Sequence, residues 1–296
     1  MAEVATVPDM GRGYTVREPT SLRECIARLV AGASGRTRKR LVTDGRVRVN
    51  GAVVRRPDAR LGAGDVVEIG AALPEPLPSR IRLVHEDEDV IVVEKPAGLL
   101  TVATERERER TLYAYLTAHA RARKPPGRVF VVHRLDRLAS GLLVFATSRD
   151  AKAALQAQFA ARTVERGYLA VVEGRPAPPA GKVVTRLVDD EPGRVRATRD
   201  PGRGRVAVTH WRVVGAGGRH TVVEVRLETG RRNQIRIHLA GLGHPIAGDT
   251  AYGSRSDPFG RLALHAHVLA FAHPRTGAPL RFTSAAPPAF TRRPRS

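Results

Sequence analysis

Residues 71–80, AALPEPLPSR, constrain this chain more than any other stretch. Its prolines remove backbone donors and fix φ, so the segment takes neither helix nor sheet and is expected to be a stiff, extended linker. The chain before it must fold as a small unit, and the chain after it, 81–290, is long enough to bury a substantial core of its own. Hydrophobic residues make up 42% of the 296, which is ordinary for a globular protein.

Charge is the next constraint. Fifty Lys and Arg against 29 Asp and Glu leave a formal charge of +21, which calls for a polyanionic partner, nucleic acid being the commonest. Only five of the basic residues are lysines. An arginine excess suits forked contacts to phosphate, but it also accompanies a GC-rich genome, so net charge carries this inference. No run approaches the roughly 20 apolar residues of a membrane helix. The opening MAEVATVPDMGRGYTV has acids and a proline where an export signal is apolar, so a cytoplasmic location is expected. A single cysteine, Cys25, excludes an internal disulfide and any Cys-x-x-Cys zinc site.

Residues 1–16 read as a loose tail. The pattern TSLRECIARLVAG reads as a helix capped by Thr20, with Leu22, Ile26, Leu29 and Val30 on one face. A second short helix, about Thr37 to Thr43, carries Arg38, Lys39 and Arg40 and ends near Gly45. In GRVRVNGAVV, Val47 and Val49 alternate with Arg46 and Arg48, and Asn50-Gly51 signals a hairpin. Between residues 20 and 62 eleven Lys and Arg face three acids. RTRKRLVTDGRVRVNG resembles the helix-plus-hairpin RNA-binding domain of the S-four type, over residues 17–70. That resemblance implies an RNA dock in which Arg38, Lys39, Arg40, Arg46 and Arg48 follow the backbone, giving affinity and salt sensitivity more than sequence choice. The competing reading is a small domain with a solvated basic face.

In the body, IRLVHEDEDVIVVEKPAG reads as two strands around an acidic turn. RTLYAYLTAHARAR and SRDAKAALQAQFAAR read as helices. RVFVVHRLD, GLLVFAT, GYLAVVEG, RVAVTHWRVV and HTVVEVRLETG are β-rich. Strands outnumber helices without alternating with them, so the expected class is α+β with a mixed, mainly antiparallel sheet.

The chemistry points to His133-Arg134-Leu135-Asp136, between two apolar strands, with Ser140-Gly141 turning the chain. An acid so placed either caps a turn in solvent or needs a cation or several donors to ionise. TGRRNQIRIHLAGLGHPIAGD supplies candidates. Read as a helix opened by Gly230, it buries Ile235, Leu239 and Leu242 and puts Arg232 and Arg236 on a neighbouring face.

Four segments together resemble the RluA-type pseudouridine synthases: VIVVEKPAGLL, HRLDRLASGLLVFA, LETGRRNQIRIHLAGLGHPIAGDTAYG and LHAHVLAFAHP. The likeness covers about residues 81–285, and an RNA-docking module ahead of such a body is a family arrangement. It implies that Asp136 is the catalytic aspartate, that Arg134 fills the space left when the target base swings out, that Tyr168 stacks on the uracil, and that Arg236 pairs with Asp136. His133, Arg232 and Gln234 then belong to the substrate-binding set. The implied reaction is uridine to pseudouridine, an isomerisation calling for no cofactor and no metal. Its route is open between attack by Asp136 on sugar or base and removal of the 2′ proton to a glycal. The implied partner is ribosomal RNA of the large subunit, with transfer RNA as the alternative, and the expected state is a monomer.

This chain departs from the family pattern at Ala139, where Thr is usual, at Arg232-Asn233, where Thr-His is usual, and at Arg166, where Lys is common. His244, His273, His265 and His267 suggest a metal only weakly, because no carboxylate spacing completes a site. Trp211 and Cys25 read as core, and the 105–110 charge run as a solvated loop or helix start. The rival functions are a non-catalytic RNA-binding or assembly factor and a metal-dependent hydrolase.

Overall fold

A computed structural model of the chain describes residues 10–291 except 44, 71–76, 106, 108, 124, 192 and 193. Most of the proline-rich stretch, and residues 1–9 of the expected tail, therefore lie outside the described residues. The chain forms two compact units divided between residues 76 and 77, with 118–127 grouped with the first. Among the described residues no helix is long and apolar enough to cross a membrane.

The first unit runs β1 (Met10–Thr15), β2 (Thr20–Ser21), α1 (Leu22–Leu29), α2 (Gly35–Thr43), β3 (Val47–Val49), β4 (Ala52–Val53), β5 (Arg60–Leu61) and β6 (Val66–Ile69). A four-stranded sheet in the order β1-β6-β3-β4 backs the two helices. The expected tail is corrected over residues 10–15, which form an edge strand on β6, and Val16 enters the core. Ser21, not Thr20, caps α1. Its hydroxyl accepts the Glu24 N–H while the Glu24 carboxylate accepts the Ser21 N–H, a reciprocal capping box. Thr20 adds a hydroxyl bond to the same carboxylate. Leu22, Cys25, Ile26, Leu41, Val42 and Val47 form the core of this unit. Asn50 and Gly51 take φ of 51° and 78°, the positive values a two-residue hairpin of the primed type requires.

The second unit is built on eleven strands in one sheet. In chain order it contains β7 (Arg82–Glu86), β8 (Val90–Lys95), α3 (Leu112–Arg121, whose end groups with the first unit), β9 (Phe130–Val131), β10 (Ser140–Ala146), α4 (Arg149–Ala161), β11 (Glu165–Glu173), β12 (Ala180–Glu191), β13 (Arg194–Thr198), β14 (Arg205–Gly217), β15 (His220–Leu227), α5 (Gln234–Gly241), β16 (Leu264–Ala272), β17 (Pro279–Thr283) and α6 (Pro288–Thr291). The sheet order is β13-β12-β14-β15-β11-β16-β10-β8-β7, with β17 on β16 and β9 on β10. Among the described strands of this sheet only β10 and β16 pair in parallel, so the sheet is mixed and mainly antiparallel. All seven residues of β10 are buried. Leu142, Val144 and Ala146 pack with Ala151 and Leu155 of α4. Each such fully buried large aliphatic contributes roughly 1.5–3 kcal/mol.

Two expectations change here. The helix expected to open at Gly230 begins at Gln234, and Leu242, expected in its buried stripe, is 39% exposed beyond its end. The helix is buried nearly all round, Gln234 through Leu239 included, because its polar side chains find partners inside. The strand expected in VFVV shrinks to Phe130–Val131, and the chain then runs irregularly to Ser140.

Candidate active site

The irregular stretch between β9 and β10 carries His133-Arg134-Leu135-Asp136, and its backbone is pinned from below. The Thr101 hydroxyl donates to Leu135 O at 2.9 Å and accepts from Leu135 N at 3.2 Å. Lys95, fully buried at the end of β8, donates to the carbonyls of Pro96, Leu99, Arg137 and Ala139 at 2.6–3.2 Å. Burial pulls the Lys95 pKa down to about 7 against the attraction of Asp136. Gly141, at φ +114°, lets β10 approach β16 so closely that a Cβ there would stand 2.2 Å from Ala266 O.

Asp136 emerges from this support into a cavity of about 490 Å³, a size typical of small-ligand sites. Val132 to Asp136, Phe159, Arg162, Arg166, Tyr168 and Leu227 to Ile235 contribute to its wall. The Asp136 side chain is 21% exposed. Burial raises its pKa above the usual carboxylate range. Arg236, Arg134, the Asn233 backbone N–H and Lys95 oppose that and favour the anion. Tyr168 projects from β11 at a bulge in its pairing with β16 and is 7% exposed. Its hydroxyl pKa is also pushed up, mainly by burial. An ionisable carboxylate, an aromatic ring and a rim of arginines around one concavity suit a planar, anionic substrate such as a nucleotide.

The other sequence-predicted residues divide. Arg134 is exposed at the cavity wall. Arg232 also lines it, with Nη2 2.6 Å from Asp189 Oδ1. Arg236 stands behind it, and it shares its charge between the expected partner and a second one. Nη1 reaches Asp136 Oδ2 only at 4.0 Å, while Nε and Nη2 both bond Asp249 at 2.7 Å. His133, also on the cavity wall, is tied to the sheet. Nε2 accepts the Val144 N–H at 3.1 Å, the ring lies against Phe159, and burial pushes the pKa down to about 3, so it is neutral. Gln234, on the cavity wall, is bonded within the protein at both ends of its amide. Its amide oxygen accepts from the Thr229 hydroxyl and Arg231 N–H, and its nitrogen donates to Val208 O and the Thr209 hydroxyl. In the first unit, Arg38 donates to Val30 O and Ala31 O, and Arg46 to Gly70 O. Both secure their own chain. Lys39 and Arg40 are exposed on α2, and Arg48 is half-buried.

The model for RNA pseudouridylate synthases matches residues 89–241, and the S4 domain model matches residues 26–67. The chain belongs to the RNA pseudouridylate synthase family. It is 35% identical over 287 residues to ribosomal large subunit pseudouridine synthase D of Zymomonas mobilis, covering 90% of each chain. It is 38% identical to an uncharacterized RNA pseudouridine synthase of Bacillus subtilis, covering 83% of this chain and 84% of that one. Among solved structures, human RNA pseudouridylate synthase domain containing 4 is similar, with a TM-score of 0.59 and 25% identity over 71% of this chain and 90% of that one. The synthase is thus an isomerase that acts on RNA.

Sequence reasoning missed several residues around the synthase's cavity. Asp249, 1% exposed, lay inside a quoted segment without a role. Asn233, noted only as a departure, sits at φ 55°, has a backbone N–H that favours the Asp136 anion, and accepts from Arg236 Nη1 at 3.0 Å. The reading that no carboxylate spacing completes a site with the histidines also needs correction, since Asp87 and Asp89 gather at His273. His273 Nε2 stands 3.3 Å from Asp87 Oδ2 and 3.7 Å from Asp89 Oδ2. Those oxygens are already taken, by His85 at 2.7 Å and Arg275 Nε at 2.7 Å.

Proposed function

We propose that the chain isomerises uridine to pseudouridine in large-subunit ribosomal RNA, with Asp136 as the catalytic carboxylate and the target base turned out of the RNA into the cavity. The observation that supports this best is the placement of Asp136. It is a half-buried carboxylate in a cavity with Tyr168, and the fixed cation of Arg236 stands 4.0 Å away. The names of relatives such as the Zymomonas mobilis enzyme support the choice of RNA, and such RNA is met in the cytoplasm.

In this reading the N1–C1′ bond breaks, the uracil turns, C5 bonds to C1′, the proton on C5 leaves and N1 takes one up, so the product has the same atoms as the substrate. Asp136 either attacks covalently or takes the 2′ proton to a glycal, and both routes require its ionised form. The bond changes are redox-neutral, so the reading assigns no cofactor or metal and takes the enzyme as a monomer. Extracting a base costs a few kcal/mol of stacking, which an aromatic platform worth roughly 1–3 kcal/mol helps offset. Tyr168 supplies that platform, and the exposed Arg134 fills the vacated stack.

The test is to incubate unmodified large-subunit ribosomal RNA transcript with wild type and with Asp136→Asn and to map pseudouridine. Product from wild type only is expected. Equal yields would remove Asp136 from its role, and an identical pattern on transfer RNA alone would move the substrate assignment.

A further inference from the structure

Glu228, just past the end of β15, gathers basic side chains from three other elements. Lys182 Nζ of β12 lies 3.1 Å from its Oε1, and His210 Nε2 of β14 lies 2.6 Å from the same oxygen. Arg162, which ends α4 at φ 61°, brings Nη1 to 3.5 Å from Oε2. The bonds from His210 and Lys182 hold the Glu228 carboxyl below its ordinary value. Lys182 stands opposite His210 in the β12–β14 ladder, and His210 opposite Arg226 in the β14–β15 ladder, so a basic row crosses three strands. From within the unit, Arg166 Nη2 donates to Leu227 O at 3.3 Å and to Glu228 O at 3.2 Å, which ties down the backbone under the carboxylate.

The cluster is short of one negative charge, because two fixed cations and an imidazole meet on one carboxylate. The side chains of Arg162, Lys182 and His210 are 56%, 50% and 44% exposed, so their spare donors stay open to solvent. Exposed ion pairs do little for stability, and the fold alone therefore gives little reason for the gathering. Its position gives a better one: Arg162 and Glu228 both line the cavity that holds Asp136 and Tyr168.

We propose that Arg162, Lys182 and His210 form a subsite for one phosphodiester of the RNA strand that carries the target uridine, with Glu228 holding the three together until the phosphate joins them. The proposal rests on the nucleotide entering the cavity at Asp136. A base inside the cavity leaves its sugar and flanking phosphates at the mouth, where Arg162 and Glu228 stand. A phosphodiester carries the one negative charge the cluster lacks, and its two free oxygens suit a guanidinium fork and an ammonium together. The contact is to backbone, so it sets the register of the strand and reads no base.

The experiment measures Kd of the full chain for unmodified large-subunit ribosomal RNA transcript over a range of salt, with kcat and KM on the same RNA. Arg162→Gln/Lys182→Gln removes the two fixed charges of the cluster. Arg149→Gln/Lys152→Gln removes two charges from the first turn of α4, at the far end of that helix from Arg162, and is the control for net charge. In the cluster variant Kd and KM should rise about tenfold, with kcat kept within a few-fold. The slope of log Kd against log salt should fall by about 0.7–0.9, the value of one phosphate contact. Arg162→Lys/Lys182→Arg keeps both charges and should stay near wild type, and the control should keep the wild-type slope.

Equal changes in the cluster variant and the control would reduce the cluster to part of the general positive field and overturn the proposal. A fall in kcat with Kd and salt slope unchanged would overturn it too, by making the cluster a support of the cavity wall. If the double variant does not fold, Lys182→Gln alone decides, by whether its slope falls below that of Lys152→Gln. Product from Asp136→Asn would instead refute the catalytic reading and leave the Kd comparison standing, so the two failures are distinguishable.

Discussion

Gly141 offers the sharpest test of how the site is held. It is the second residue of β10, pairs with Ala266 of β16, and takes φ +114°. A Cβ there would lie 2.2 Å from Ala266 O, 2.5 Å from Ala266 N and 2.7 Å from Ala266 C, all backbone atoms in a fixed ladder. Gly98 provides an internal control, since its φ is +83° but a Cβ there meets nothing within 4 Å. Gly98→Ala therefore incurs only the positive-φ strain, about 1–2 kcal/mol. Gly141→Ala incurs comparable strain plus an overlap that only separation of β10 and β16 relieves, a further 1–3 kcal/mol or so. We expect Gly141→Ala to lose about 2–5 kcal/mol in urea unfolding followed by circular dichroism, against about 1–2 for Gly98→Ala. The four residues between Asp136 and Gly141 transmit the shift, so kcat on ribosomal RNA should also fall, while Gly98→Ala keeps it within a few-fold. Equal losses for the two variants, or a fully active Gly141→Ala enzyme, would show that the close approach is not what sets the turn.

Two more predictions concern residues away from the cavity. His265 is 1% exposed, bonded to Ser140 and Ser284, with burial as the main cause of a pKa near 4. Its folded pKa lies below the unfolded value of about 6.5, so the unfolded chain binds more protons and stability declines as pH falls from about 6.5 to 4, by up to about 3 kcal/mol. His265→Gln should flatten that part of the stability–pH curve measured by urea unfolding, and an unchanged slope would refute the assignment. In the first unit, charge reversal at Lys39 and Arg48 should weaken RNA binding and reduce its salt slope with little change in melting temperature. Arg38→Met should do the opposite, because Arg38 holds Val30 O and Ala31 O. A salt slope unaffected by the double reversal would mean RNA docks elsewhere.

The features legible in the sequence were those where one residue type has few physical alternatives. Asn50-Gly51 turned as read because a tight hairpin needs two positive φ values. β10 was legible because SGLLVFA, apolar throughout past its turn residues, suits only a strand buried on both faces. What stayed hidden depended on partners distant in sequence. Met10–Thr15 has no apolar alternation and becomes a strand because β6 offers it a ladder. β12 carries Lys182, Arg186, Asp189 and Asp190, which disguise twelve residues of extended chain. The buried stripe of α5 was read from three apolar positions, although Gln234 and His238 are equally buried and Thr209 bonds both. Asp249 reaches Arg236 from thirteen residues downstream, a separation that follows no local rule. Arg38 and Arg46 show the converse error, since a basic side chain in a positive patch can satisfy its own backbone.

Asp136 stands four residues from a strand whose every side chain is shut away from water and which is hydrogen-bonded on both sides to neighbours in the sheet. Opening that strand requires dissolving the middle of the molecule, so fluctuations that loosen the carboxylate belong to the rarest class, close to complete unfolding. The second unit therefore holds this carboxylate on a nearly rigid support. Under the proposed turning-out of the base, the distortion would fall on the RNA, and uridines in strands already bent, bulged or poorly stacked would be the ones reached most readily.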